Sequence, residues 1–161
     1  MTVLVAYASK HGSTEDIAQC IAERLRERGA DAEVQPLADV KDLGDAEAIV
    51  LGSAVYIGSW MKDAREFLRR HRETLSQVPV WLFSSGPTGA EPTDIGLSEK
   101  QLAELRTIDP RDHRVFQGAL DAAELGFIER KMVKAAKAPL GDFRDWDDIR
   151  AFADEIADAL V

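Results

Sequence analysis

Three short stretches hold the residue types most able to do chemistry. The first, Ser9-Lys10-His11-Gly12-Ser13-Thr14, combines hydroxyls, a glycine and two cationic side chains just ahead of a helical pattern. Small side chains let backbone N–H groups converge on an anion there, and the helix N-terminus adds a favourable field. Ser9, Ser13 and Thr14 are placed to donate hydroxyl hydrogen bonds to a phosphate, with Lys10 and His11 as cationic help. The same composition also serves a plain capped helix start. The second stretch, Ser53-Ala54-Val55-Tyr56-Ile57-Gly58-Ser59-Trp60, carries two large planar side chains, a natural wall for a flat aromatic ligand. Tyr56 is the better contact, because Trp60 also lines up with the apolar stripe of the next helix. The third, Ser84-Ser85-Gly86-Pro87-Thr88-Gly89, offers backbone donors to the polar edge of such a ligand, or forms a simple Gly-Pro turn.

Other chemistries lack their residues. The nucleotide loop Gly-x-x-x-x-Gly-Lys-Ser/Thr and the dinucleotide fingerprint Gly-x-Gly-x-x-Gly are both absent. A phosphoacceptor carboxylate would end the third strand, where Gly52-Ser53 stand. The lone Cys20 lies inside the first helical pattern with no arginine five residues on, so it reads as a half-buried packing residue. No second cysteine exists for a disulfide or a Cys-based zinc site. His71 and His113 sit on separate elements without partners that suggest catalysis, and no metal site is expected.

The elements that position these stretches follow from the apolar runs. Val3–Ala8, Ala48–Ala54, Val78–Phe83 and Val115–Leu120 read as strands buried on both faces, as in a parallel sheet. Ala32–Leu37, with Pro36 near its end, fits an edge strand. Between them, Ile17, Ile21 and Leu25 make one helical stripe stopped by Gly29, and Trp60, Ala64, Phe67, Leu68 and Leu75 make another. Ser98 and Gln101 form a capping box, and Asp145-Trp146-Asp147-Asp148 opens a last helix that buries Ile149, Phe152, Ala153, Ile156 and Leu160. This alternation predicts an α/β fold: a doubly wound five-stranded parallel sheet in a three-layer sandwich. Ligands of such sheets sit at the carboxyl ends of the strands, where the three stretches fall. A phosphate cradle, an aromatic wall and a polar backbone loop at one sheet edge together describe a pocket for flavin mononucleotide (FMN).

The 161 residues suit one domain spanning 1–161, and 45% hydrophobic with 30% charged residues suit a soluble globular chain. Twenty Lys and Arg against twenty-nine Asp and Glu give a formal charge of −9, which opposes nucleic-acid binding through a broadly basic surface. No apolar run reaches the roughly 18 residues that span a bilayer, and Thr2-Val3-Leu4-Val5 begins without a secretory leader pattern. A cytoplasmic location is expected.

The stretch Val5-Ala6-Tyr7-Ala8-Ser9 through Ile21 resembles the N-terminal pattern of the flavodoxin-like family: aromatic, Ser, Gly, Thr, then Ala and Ile on the helix. Ala6 departs from it, a larger apolar residue being usual there. Within that family the chain is most similar to the menaquinone-dependent protoporphyrinogen IX dehydrogenases and their flavodoxin-domain relatives. The similarity is carried by Gly52 through Trp60, Phe67-Leu68-Arg69-Arg70-His71, Phe116-Gln117-Gly118-Ala119-Leu120 and the distal Asp145-Trp146 to Ile156. It implies that Ser9 to Thr14 hold the FMN phosphate, while residues 53–58 and 84–89 flank the isoalloxazine ring. It also implies an FMN-dependent oxidoreductase working toward a quinone, with protoporphyrinogen IX as a candidate donor. After the fifth strand this chain departs from the dehydrogenases, with a short stretch starting Asp121-Ala122-Ala123-Glu124. Two other readings stay open: an electron carrier steered by its negative charge to a redox partner protein, and a flavin-free interaction module of the same fold. Neither ring stretch contains Asp or Glu, which predicts a flavin potential less negative than a low-potential carrier's. Arg130, Lys131, Lys134 and Lys137 opposite Phe127, Ile128, Met132 and Val133 fit either a solvated helix face or a weak peripheral contact at the inner face of a membrane.

Overall fold

The computed structural model describes residues 1–9, 12–56, 58–86, 97–117, 119–120, 141–142 and 144–160. Strand and helix alternate through them: β1 (Thr2–Ala8), α1 (Ser13–Glu27), β2 (Asp31–Pro36), a 3-10 turn (Leu37–Asp39), β3 (Ala48–Tyr56) and β4 (Ser59–Trp60). Then come α2 (Lys62–Arg70), α3 (Arg72–Leu75), β5 (Val80–Gly86), α4 (Glu99–Arg106), β6 (Asp112–Gln117), β7 (Ala119–Leu120), β8 (Gly141–Asp142) and α5 (Trp146–Leu160). The main sheet runs β2-β1-β3-β5-β6, all parallel, and β4 folds back antiparallel on the end of β3. The expected doubly wound parallel sheet is therefore present, with Asp31–Pro36 at its edge as anticipated.

The strands run through the molecule with both faces covered, which explains why their sequences do not alternate. On one face Val3, Val5, Val50 and Phe83 pack against Ile17, Ile21 and Leu25 of α1 and Ile149, Phe152 and Ile156 of α5. On the other, Leu4, Ala6, Ile49, Leu51 and Leu82 meet Phe67 and Leu68 of α2, Leu75 of α3 and Leu105 of α4. Each large side chain so buried contributes roughly 1.5–3 kcal/mol. Cys20 is half-buried against the first of these clusters, and burial pushes its thiol pKa up, as suits a packing residue.

Several boundaries differ from the sequence expectation. Strand β5 runs Val80–Gly86 in place of Val78–Phe83, so Ser84, Ser85 and Gly86 of the expected loop belong to the strand end, held there by pairing with β3 and β6. The last parallel strand begins at Asp112, three residues ahead of the Val115 start, and residues 119–120 pair separately with 141–142. As an edge strand, β6 leaves Asp112 exposed and His113 and Arg114 half-buried, so its first half carries no apolar signature. The helical stripe from Trp60 to Leu75 breaks at His71 into α2 and α3. The expected basic segment 127–137 lies outside the described residues.

Candidate cofactor site at the carboxyl edge of the sheet

The parallel register brings the three sequence stretches to one edge. Ala8 of β1 pairs with Ser53 of β3, and Ser53 pairs with Ser84 of β5. Because β1 and β3 are neighbours whose following helices cover opposite faces, their chain exits diverge and leave a crevice between them.

At the first exit the chain turns into α1 through Gly12, whose φ of 83° is the left-handed conformation that glycine adopts without strain. Gly12 N–H donates to Ser9 Oγ at 3.0 Å, which closes the turn. The α1 N-terminus has no side-chain cap, so the first-turn amides are not consumed by one. Thr14, only 1% exposed, holds its Oγ1 buried with no hydrogen-bond partner among the described residues. An unpaired buried hydroxyl is costly unless a ligand meets it. Ser13 Oγ lies 3.4 Å from Ser85 Oγ, the outer limit of a hydrogen bond, and so touches the third stretch. Tyr7, at the end of β1, has its phenol pKa pushed up by burial and by neighbouring Glu15 and stays neutral. Lys10 and His11 lie outside the described residues.

The second and third stretches are locked together from beneath. Ser53 Oγ accepts from Met61 N–H at 3.0 Å and donates to the Ala54 carbonyl at 2.9 Å, so this hydroxyl organises the turn into α2. Ala54 and Val55 are half-buried at the strand end, and Val55 pairs with Trp60 across the β3–β4 hairpin, which Gly58 closes with φ of 76°. Trp60 is 1% exposed, and the structure assigns it to the core rather than to a ligand wall. Its indole Nε1–H donates to Ser84 Oγ at 2.8 Å, and Ser84 Oγ lies 2.7 Å from His113 Nε2. In the tautomer protonated at Nδ1, His113 accepts the Ser84 hydroxyl hydrogen through Nε2. Burial holds the His113 pKa below its usual value, against a smaller opposing effect of Asp112, so the ring is neutral at neutral pH. His113 is thus a structural partner and not the isolated residue its sequence position suggested. Residues 57 and 87–89, and the side chain of Tyr56, lie outside what is described.

A second correction concerns the capping box. Ser98 Oγ accepts from Gln101 N–H at 3.1 Å as expected, but the Gln101 side chain does not return to Ser98. Its Oε1 accepts from Trp60 N–H at 3.1 Å, while Ser98 N–H donates to the Gly58 carbonyl at 2.8 Å. Helix α4 therefore braces the β3–β4 hairpin. Sequence reading also missed Arg144, whose guanidinium Nη1 sits 3.1 Å from Asp16 Oδ2 in the first turn of α1.

Taken together, the described residues fit a phosphate at the start of α1: a helix end with no side-chain cap, a left-handed glycine and a buried hydroxyl with no partner among the described residues. Neutral serines line the adjoining strand ends. No described helix is long and apolar enough to cross a membrane.

Comparison with known proteins agrees with this fold. Residues 4–147 match a family described as the flavodoxin domain. The chain is 23% identical over 172 residues to the protoporphyrinogen IX dehydrogenase (quinone) of Escherichia coli K12, covering 98% of this chain and 95% of that one. Among solved structures it resembles a mutant flavodoxin from Pseudomonas aeruginosa, with TM-score 0.64, 19% identity and 99% of both chains covered. It also resembles rubredoxin oxygen:oxidoreductase from Desulfovibrio gigas, with TM-score 0.67 and 19% identity, over 99% of this chain and 36% of that one.

Proposed function

This chain belongs to the flavodoxin domain family, and from that premise we propose that it is an FMN-dependent oxidoreductase that delivers electrons to a quinone. A flavin-binding redox role is supported by the fold and by homology to flavodoxins and to a protoporphyrinogen dehydrogenase. The observation that carries the FMN reading is Thr14 Oγ1, buried without a partner among the described residues in the first turn of a helix with no side-chain cap. Ser9, Lys10, His11, Gly12, Ser13 and Thr14 would hold the phosphate, and residues 53–58 and 84–89 would flank the ring. Bound FMN supplies reversible transfer of one or two electrons, or of a hydride.

The chain's own residues bind, orient and shield. Gly12 aims the amides at the start of α1, and Thr14 completes the phosphate contacts. The Trp60–Ser84–His113 network and the Gln101 brace hold the two ring stretches in place without offering an acid or base to the chemistry. Residues 53–60 and 84–90 contain no carboxylate, so nothing in them opposes the negative charge of a reduced ring. The expected two-electron potential is less negative than a low-potential carrier's, which suits a quinone acceptor. A redox titration of the holoprotein checks this, and a potential as low as a carrier flavodoxin's would overturn it.

The E. coli relative's name points to the donor we propose, protoporphyrinogen IX. Each pair of electrons and protons leaving that donor would reduce one quinone to the quinol. A second reading, an electron carrier for a protein partner, is favoured by the charge of −9. Titration with FMN, read by fluorescence quenching and visible absorption, tests the cofactor. The wild type should bind tightly, and Gly12→Val should remain folded by circular dichroism while losing affinity. A folded wild type that binds no FMN would leave only an interaction module. Assays of the holoprotein with quinone and protoporphyrinogen then separate enzyme from carrier.

A further inference from the structure

The first turn of α1 carries two carboxylates, Glu15 and Asp16. They suit a bare helix end, whose partial positive charge attracts anions. They oppose a doubly charged phosphate arriving at that same end, because like charges a few ångströms apart repel appreciably at a protein surface. The structure contains a counterweight that arrives from far along the chain. Arg144 stands just ahead of α5, and its Nη1 donates to Asp16 Oδ2 at 3.1 Å and lies 3.4 Å from the Ser13 carbonyl oxygen. The guanidinium also stacks over the Trp146 ring, 4.7 Å from the centroid, and the side chain is only 12% exposed. A cation held this way is already ordered, so little side-chain entropy remains to be lost when an anion binds nearby.

We propose that Arg144 is a positioning residue that adapts the acidic first turn of α1 to a phosphate, making this cradle select the phosphorylated flavin over the unphosphorylated one. Arg144 acts in two ways. It neutralises Asp16, and it ties the Ser13 carbonyl so that the amides at the start of α1 keep their aim. Thr14 Oγ1 in the same turn, buried without a partner among the described residues, independently marks this spot as suited to a ligand. The inference rests on the FMN reading above and adds to it a residue outside the loop.

The test uses the full chain freed of flavin and compares FMN, riboflavin and inorganic phosphate as probes. Arg144→Gln should weaken FMN binding about fivefold or more while riboflavin affinity stays within about twofold. The thermal stabilisation that phosphate gives the flavin-free chain should shrink in parallel. Asp16→Asn in the wild-type background should tighten FMN binding, and Asp16→Asn combined with Arg144→Gln should recover most of the loss. Arg144→Met, which keeps the aliphatic stem without the charge, serves as the second variant should the glutamine variant fold poorly, whereas Arg144→Lys, which keeps the charge, should retain the preference. A wild type that binds no FMN overturns the cofactor reading and this inference with it. A wild type that binds FMN, beside charge-removing Arg144→Gln or Arg144→Met variants whose FMN-to-riboflavin preference is unchanged, overturns the inference alone.

Discussion

At the scale of single residues, Thr14 makes the most discriminating prediction. Its hydroxyl is buried with no hydrogen-bond partner among the described residues, so removing it sacrifices no described hydrogen bond. Thr14→Val keeps the shape, and should leave the flavin-free chain as stable as the wild type or more so. FMN affinity should nevertheless fall about tenfold, because a hydrogen bond to a charged phosphate is lost. Calorimetry of the flavin-free chain together with an FMN titration reads both effects; parallel losses of stability and affinity would make Thr14 a packing residue. The type and place of Thr14 were legible in the sequence, since a hydroxyl just inside a glycine-started helix is a local pattern. Arg144 was not, because its contact with Asp16 spans 128 residues and depends on where α5 begins.

At the scale of elements, the close approach of β3 and β5 sets the edge that carries the site. Gly52 and Phe83 are register partners, and a Cβ built on Gly52 would fall 1.9 Å from the Phe83 ring. Phe83 is fully buried, so the ring cannot swing away freely. Gly52→Ala should therefore destabilise the chain by about 1–3 kcal/mol or more. Phe83→Leu in the same chain should recover part of that loss, as urea unfolding would show. The glycine was visible in the sequence as one residue of a strand; the ring that requires it was not. Trp60 teaches the same lesson. Its spacing fits the apolar stripe, yet only the β3–β4 hairpin and the Ser84 hydroxyl decide that it faces inward. Gln101 likewise carries a capping residue's identity, but the nearby Trp60 amide claims its side chain.

At the scale of the whole molecule, pH acts through groups buried or paired on folding. Burial lowers the pKa of His113 and, together with Arg70, that of His71, both from an ordinary value of 6.5. Above pH 6.5 both rings are neutral in the folded and unfolded chains, and their contribution is intact. As pH falls below 6.5 the unfolded chain takes up protons first, so stability drops until the folded-state values are reached. Asp154, hydrogen-bonded to Arg24 and Arg28 across the α1–α5 contact, has its pKa lowered from 3.8. Its contribution is present above that value and is lost at more acid pH. Chemical unfolding across pH 3–8 should thus show two successive declines. His113→Gln keeps a polar partner for Ser84, and should reduce the first decline without touching the second; an unaltered first decline would assign it elsewhere.

The sequence by itself determined the alternation of the main strands and helices, the doubly wound parallel sheet, the edge position of the second strand and the residue types at the carboxyl strand ends, though not the short strands β4, β7 and β8. Those features follow from apolar runs, helix stops and small-residue loops, all of which are local in the chain. Tertiary structure alone decided that Trp60 belongs to the core, that His113 and Ser84 share a hydrogen bond, and that Arg144 reaches the first turn of α1. Each of these depends on residues that meet only when separate strands and helices pack. Hydrogen bonds and ion pairs across such distances leave no periodicity or spacing for a sequence to display.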